Sequence, residues 1–180
     1  MKHILVALVE NKPGVLARVA GLFRRRNFNI DSLTVGTTED PSVSRMTMVV
    51  DSTATDTSAV ERNLYKLVNV LYVQDVTSEP SVIRDLAMVK VNAGAETRGE
   101  ILQLVDIYKA RIVDVGQQTM IVELTASPSK VDQFVQLLEP FGVREMVRTG
   151  LIAMKRGDEP MFQEETDEHA RGEWRVLNAN

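Results

Sequence analysis

The sequence contains no cysteine, one tryptophan and only two histidines. Without thiols, there can be no disulfides, thiol catalysis or cysteine-built zinc site. His3 stands near the N-terminus and His169 in an acidic run near the C-terminus, so neither has the makings of a Ser/His/Asp triad. His169 beside Asp167 and Glu168 is at best a weak metal-binding set and reads as a solvated charge run. Asp31 and Glu10 can be imagined as an acid/base pair, but nothing around them in the sequence supports that chemistry. The apolar runs are strand-length and broken by charges, so no segment is expected to span a bilayer. Met1-Lys2-His3-Ile4 leads into a strand-like pattern without a signal-peptide layout, and a cytoplasmic protein is expected.

Charge of one sign is also scarce over most of the chain. Residues 156–180 carry three basic and seven acidic side chains, the whole net charge of −4. The remaining body balances at 18 basic and 18 acidic residues, and has no electrostatic footprint for nucleic acid. Eight methionines fall mostly in strand-like stretches and read as core filler.

What is present centres on residues 11–23. Ile4 to Val9 is an apolar strand. Asn11-Lys12-Pro13-Gly14 is a short polar loop, and Val15, Leu16, Val19, Leu22 and Phe23 then follow helical spacing. Two readings stand side by side. Asn, Pro and Gly are ordinary turn residues. Alternatively, the N–H groups at the helix start receive a carboxylate, with Asn11 offering an amide that donates and accepts. Phosphate is disfavoured because the two glycine-rich phosphate motifs are missing around Gly14.

The helix should end at Arg24-Arg25-Arg26-Asn27, where cations suit the negative end of the dipole. A strand is predicted near 29–36, a turn at 38–42 and a second strand over 43–50. A Ser/Thr/Asp cluster over 51–57 precedes a helix marked by Val60, Leu64, Leu67 and Val68, and a strand follows over 69–77. The order is β-α-β-β-α-β, the ferredoxin-like plan. Glu79-Pro80-Ser81 is a break, after which the order repeats. Strands are predicted near 85–91, 110–115 and 119–124, helices carry Ile101 to Tyr108 and Val131 to Leu138, and a last strand lies within 143–154. The fold class is therefore α+β, with two tandem ferredoxin-like domains. Domains are expected at 1–78 and 79–156, with an acidic tail over 157–180. The tail is expected to be mobile, with a short ordered piece around Trp174-Arg175-Val176-Leu177.

The run Val9-Glu10-Asn11-Lys12-Pro13-Gly14-Val15-Leu16-Ala17-Arg18-Val19-Ala20-Gly21-Leu22-Phe23, followed by Asn27-Phe28-Asn29-Ile30-Asp31-Ser32, resembles an ACT domain. More closely, it resembles the regulatory small subunit of acetolactate (acetohydroxyacid) synthase. The likeness continues through Ser44-Arg45-Met46-Thr47, the run 63–70 and Arg84 to Val91, and covers about the first 155 residues.

This resemblance implies a chain that is not itself an enzyme and has no cofactor of its own. It implies a large catalytic subunit as partner, carrying thiamine diphosphate, Mg²⁺ and FAD, whose activity this chain raises. It also implies feedback inhibition by valine, with leucine or isoleucine as alternatives, in branched-chain amino acid biosynthesis. The effector would lie between two ACT domains of a homodimer. Asn11, Gly14 and Val15 of one chain match the family's effector positions, and Asn29 and Ile30 match the facing ones of the other. Leu16 and Ile30 would form the apolar pocket. A stand-alone amino-acid sensor with another partner is the alternative. A small enzyme on the same scaffold lacks the acid/base residues it would need. The tail after Arg156 has no counterpart in the resemblance.

Overall fold

A computed structural model describes residues 2–51 and 57–158 of the chain. The first set of elements is β1 (Lys2–Glu10), α1 (Val15–Arg26), β2 (Ile30–Thr37), β3 (Val43–Asp51), α2 (Thr57–Leu64) and β4 (Val70–Asp75). The second is β5 (Ser81–Asn92), α3 (Arg98–Tyr108), β6 (Arg111–Val115), β7 (Thr119–Ala126), α4 (Pro128–Leu138), β8 (Val143–Arg148) and β9 (Ile152–Lys155).

The two antiparallel sheets run β2-β3-β1-β4 and β6-β7-β5-β8. These are one strand order written twice, so the fold is two tandem ferredoxin-like βαββαβ units. Among the described residues, chain contacts group those up to Val82, with Met154 to Asp158, into one compact unit and Ile83–Ala153 into another. Trp174 to Leu177 and His169 lie outside the described residues.

Alternation in the strands and helical spacing in the helices build each core. Leu5, Ala7 and Val9 of β1 and Met46, Met48 and Val50 of β3 face the helices. Against them pack Val15, Val19, Leu22 and Phe23, the stripe of α1. Burying each such side chain contributes about 1.5–3 kcal/mol. The second core repeats this with Ala87, Val89 and Val91 of β5, Met120, Val122 and Leu124 of β7, and Ile101, Phe134 and Leu138. The rings of Tyr108 and Phe134 lie 5.1 Å apart there. The cationic end of α1 closes at Asn27, which takes a left-handed conformation, one that Asn tolerates better than most residues.

Two elements depart from the sequence pattern. The second helix stops at Leu64 instead of continuing through Val68. Lys66 N bonds Asn63 O and Leu67 N bonds Leu64 O, which tightens the chain into turns. The Tyr65 hydroxyl donates to Val73 O at 2.9 Å and accepts from Val73 N at 3.0 Å, fixing those turns to β4. Leu67 still packs on the core, whereas Val68 is 78% exposed. The last strand is also two. Gly150 takes a positive φ of 86°, the chain turns, and β9 forms and pairs with β5.

Candidate functional site

Strand β1 delivers Glu10 to one end of the first sheet, where it pairs with Val43. The chain then turns over Asn11–Gly14 into α1. Gly14 has φ +84°, and a Cβ placed there would meet nothing within 4 Å. The glycine is required for its backbone angle, not for want of room. Among the described residues no side chain caps α1, and no acidic residue stands in its first turn. Val15 N reaches Lys12 O at 3.3 Å, and the first intrahelical bond is Arg18 N to Gly14 O at 3.0 Å. The N–H groups of Leu16 and Ala17 therefore face outward at the positive end of the helix dipole.

The turn is strapped to the β2–β3 hairpin. Asn11 N donates to Ser42 O at 2.6 Å, and Asn11 Nδ2 donates to Pro41 O at 2.9 Å. Asp40 shapes that hairpin by accepting from Ser42 N and Ser42 Oγ, both at 2.8 Å. These two bonds, the backbone one first, hold the Asp40 carboxyl below its ordinary value. Asn11 Nδ2 thus has one of its two N–H groups engaged within the chain, and its Oδ1 accepts no bond from the described residues. A carbonyl oxygen suits an ammonium group, while the helix-start N–H groups suit a carboxylate.

The remaining sequence-derived residues are distributed unevenly. The side chain of Val15 is buried in the core, so only its backbone faces the turn. Leu16 is 45% exposed. Ile30 packs at the edge of the core, and exposed Asn29 donates to Asp31 Oδ1 at 3.0 Å. Asn29 and Ile30 lie beyond α1, whose 12 residues span about 18 Å at 1.5 Å per residue. The strand register agrees. Ile30 pairs with Val50, which pairs with His3, at the opposite end of the sheet from Glu10. One chain therefore does not bring Asn11 and Gly14 together with Asn29 and Ile30.

The same separation removes Glu10 and Asp31 as an acid/base pair. Asp31 instead pairs with Lys2 at 3.0 Å, and Glu10 with Lys12 at 3.1 Å. His3 Nδ1 lies 2.7 Å from Asp75 Oδ2. Burial opposes ionisation of Asp75, but its bonds to the Thr77 hydroxyl and amide and to His3 outweigh it and hold the carboxyl below its ordinary value. Two surface depressions of about 380 and 360 Å³ lie along α3 and α4 of the second unit. Neither is lined by the turn at Gly14.

One set of contacts was not read from the sequence. Asn69, next to β4, bonds both Glu10 and Arg18. Its polarity inside an otherwise apolar stretch before β4 was the available signal.

The first βαββαβ unit is a domain of the ACT class. The model for an AHAS small subunit-like ACT domain matches residues 5–72, and that for the small subunit of acetolactate synthase matches residues 84–157. The chain is 51% identical over 158 residues to a probable acetolactate synthase small subunit from Archaeoglobus fulgidus, covering 88% of this chain and 99% of that one. It is 46% identical to the acetolactate synthase small subunit of Mycobacterium leprae, covering 86% and 92% of the two chains. The crystal structure of the Thermotoga maritima small subunit superposes with a TM-score of 0.80 at 40% identity, covering 88% of this chain and 99% of that one. The chain belongs to the acetolactate synthase small-subunit family.

Proposed function

We propose that this chain is the non-catalytic regulatory subunit of a cytoplasmic acetolactate synthase. It binds and activates a large catalytic subunit that carries thiamine diphosphate, Mg²⁺ and FAD, and makes that enzyme subject to feedback inhibition by valine. Leucine and isoleucine are the close competitors, since one methylene in an apolar pocket is worth only about 1–3 kcal/mol. Residues 1–78 form the effector-binding ACT domain, residues 79–156 the second ferredoxin-like domain and residues 157–180 an acidic tail.

The observation that carries this reading is the start of α1. A left-handed glycine, with no side-chain cap among the described residues and no first-turn acid, leaves N–H groups and a positive dipole end for a carboxylate. The Oδ1 of Asn11 is an acceptor for the α-ammonium. Leu16, 45% exposed, offers apolar surface for a branched side chain.

The other half of the site comes from a second copy. Strand β2 is an edge strand, and Val35, Gly36 and Thr37 on it are exposed. Such an edge is a template for pairing. Antiparallel pairing of β2 with its own copy reverses the strand, and carries the partner's Asn29 and Ile30 toward the Thr37 end. That end adjoins the turn, because Thr37 pairs with Ser44 and Asn11 N bonds Ser42 O. A homodimer thereby joins the two groups of residues that lie about 18 Å apart in one chain. Effector bound across the seam favours one arrangement of the pair, and inhibition follows if that arrangement engages the catalytic subunit differently.

The test is calorimetric titration of the purified chain with valine, leucine, isoleucine and serine, alone and with the catalytic subunit. Saturable binding of a branched-chain amino acid, lost in Asn29→Ala, is expected. Absence of binding in both settings overturns the sensor.

A further inference from the structure

We infer that Asn69 is a positioning residue for the effector turn, acting from behind it through Glu10 and Arg18. This rests on the effector reading given above for Gly14 and its neighbours. Asn69 is buried, and it ties three elements together. Its backbone carbonyl accepts from Glu10 N at 2.9 Å. Its Nδ2 donates to Glu10 Oε2 at 2.5 Å, and its Oδ1 accepts from Arg18 Nη1. Glu10 is the last residue of β1 before the turn, and Arg18 is the residue whose N–H makes the first intrahelical bond of α1. One side chain therefore grips the turn on both sides of Asn11–Gly14.

The local backbone is built to aim it. The β1–β4 pairing slips between Leu8 and Val9, so that Leu8 pairs with Tyr72 and Val9 with Val70. The extra residue, Leu71, is a β-bulge beside Asn69, and bulges re-aim neighbouring side chains. The grip comes from the β4 side of the sheet, while Pro41 and Ser42 hold the turn from the hairpin side. Asn69 contacts no effector. It fixes the angle at which the N–H groups of α1 meet a carboxylate, and small displacements of such donors weaken binding strongly. It also joins the effector turn to the segment between α2 and β4, so that effector occupancy and the position of that segment are coupled.

The experiment uses the full chain and valine as probe, and compares wild type, Asn69→Ala, Asn69→Asp, Arg18→Ala and the double variant Asn69→Asp/Glu10→Gln. Asn69→Ala is expected to weaken valine about tenfold. Activation of the catalytic subunit without valine stays within about twofold, and exchange of the Glu10 and Arg18 amide hydrogens speeds up. Asn69→Asp sets a carboxylate against Glu10 and weakens binding similarly. The double variant restores a donor opposite an acceptor and recovers affinity. Arg18→Ala, exposed and helix-compatible, gives a smaller loss of about threefold and serves if Asn69→Ala fails to fold. Affinity unchanged in every single variant, or lost only in step with activation, overturns the inference. If wild type binds no branched-chain amino acid, the effector reading falls, and the amide exchange rates, which need no ligand, still decide whether Asn69 holds the turn.

Discussion

The two units share a strand order but differ at the turn that follows their first strand. In the first, Asn11–Gly14 leads into a helix whose opening N–H groups meet no side-chain cap among the described residues and no first-turn acid. In the second, the turn after β5 is filled from within. The guanidinium of Arg98, the first residue of α3, donates to the carbonyls of Ala93, Gly116 and Gln117 at 2.8–3.3 Å. Ala93 N bonds Gln118 O, and Glu100 places a carboxylate in the first turn of α3. Among the described residues neither helix start carries a side-chain cap, so the two turns differ in the left-handed Gly14 of the first and in the Arg98 bonds and the Glu100 carboxylate of the second. The chemistry a turn offers is a local property of a few residues, and the fold around it does not confer it.

The comparison can be broken most forcefully in the second core. Phe134→Ala removes a fully buried ring and should cost about 3–5 kcal/mol of stability. If effector sensing belongs to the first unit, valine affinity measured below the unfolding transition stays unchanged. A parallel loss of affinity in calorimetry would place sensing in both units.

Gly14→Asp acts on the other side. A Cβ at this position meets nothing within 4 Å among the described residues, so folding is expected to survive with about 1–2 kcal/mol of left-handed strain. Its carboxylate competes for the helix-start N–H groups. Losing charge-assisted bonds worth about 1.5–3 kcal/mol lowers valine affinity by roughly a hundredfold, read by titration and by loss of feedback inhibition.

Arg98→Ala tests the filled turn. Removing a cation bonded to three carbonyls should cost the second unit about 1.5–3 kcal/mol, visible in denaturant unfolding, with valine affinity again unchanged.

The smallest expected effect is one of pH. Asp40 and Asp75 of the first unit both have carboxyls held below their ordinary value of 3.8. A lowered folded-state pKa contributes stability above the unfolded value, and that stability is lost as pH falls through the folded one. Acid unfolding followed from pH 5 downward should therefore show a stability loss beginning near pH 4. Asp75→Asn should flatten that limb.

Much of this was legible in the residues. The strand-loop-helix over 4–23, the repeat after Glu79-Pro80-Ser81 and the stripes that became the two cores follow from periodicity, because burying one face of each element leaves few other arrangements. Val68 was misplaced because its spacing fits a helix, whereas the Tyr65 bonds to Val73 end that helix early. The ninth strand went unread because a single glycine, Gly150, turns the chain where composition marks no break.

The sequence alone determined the fold class, the doubled plan, the turn at Gly14 and the family. These are written in local spacing and in residue types with narrow backbone preferences. Only the tertiary structure decided which partners the side chains found. It separated Asn29 and Ile30 from Asn11, turned one N–H of the Asn11 side chain inward to Pro41, and set Asn69 between Glu10 and Arg18. It also closed the second turn with Arg98. Each of these depends on contacts across the sheet or between loops far apart in the chain, and residue spacing carries no information on how such distant segments meet.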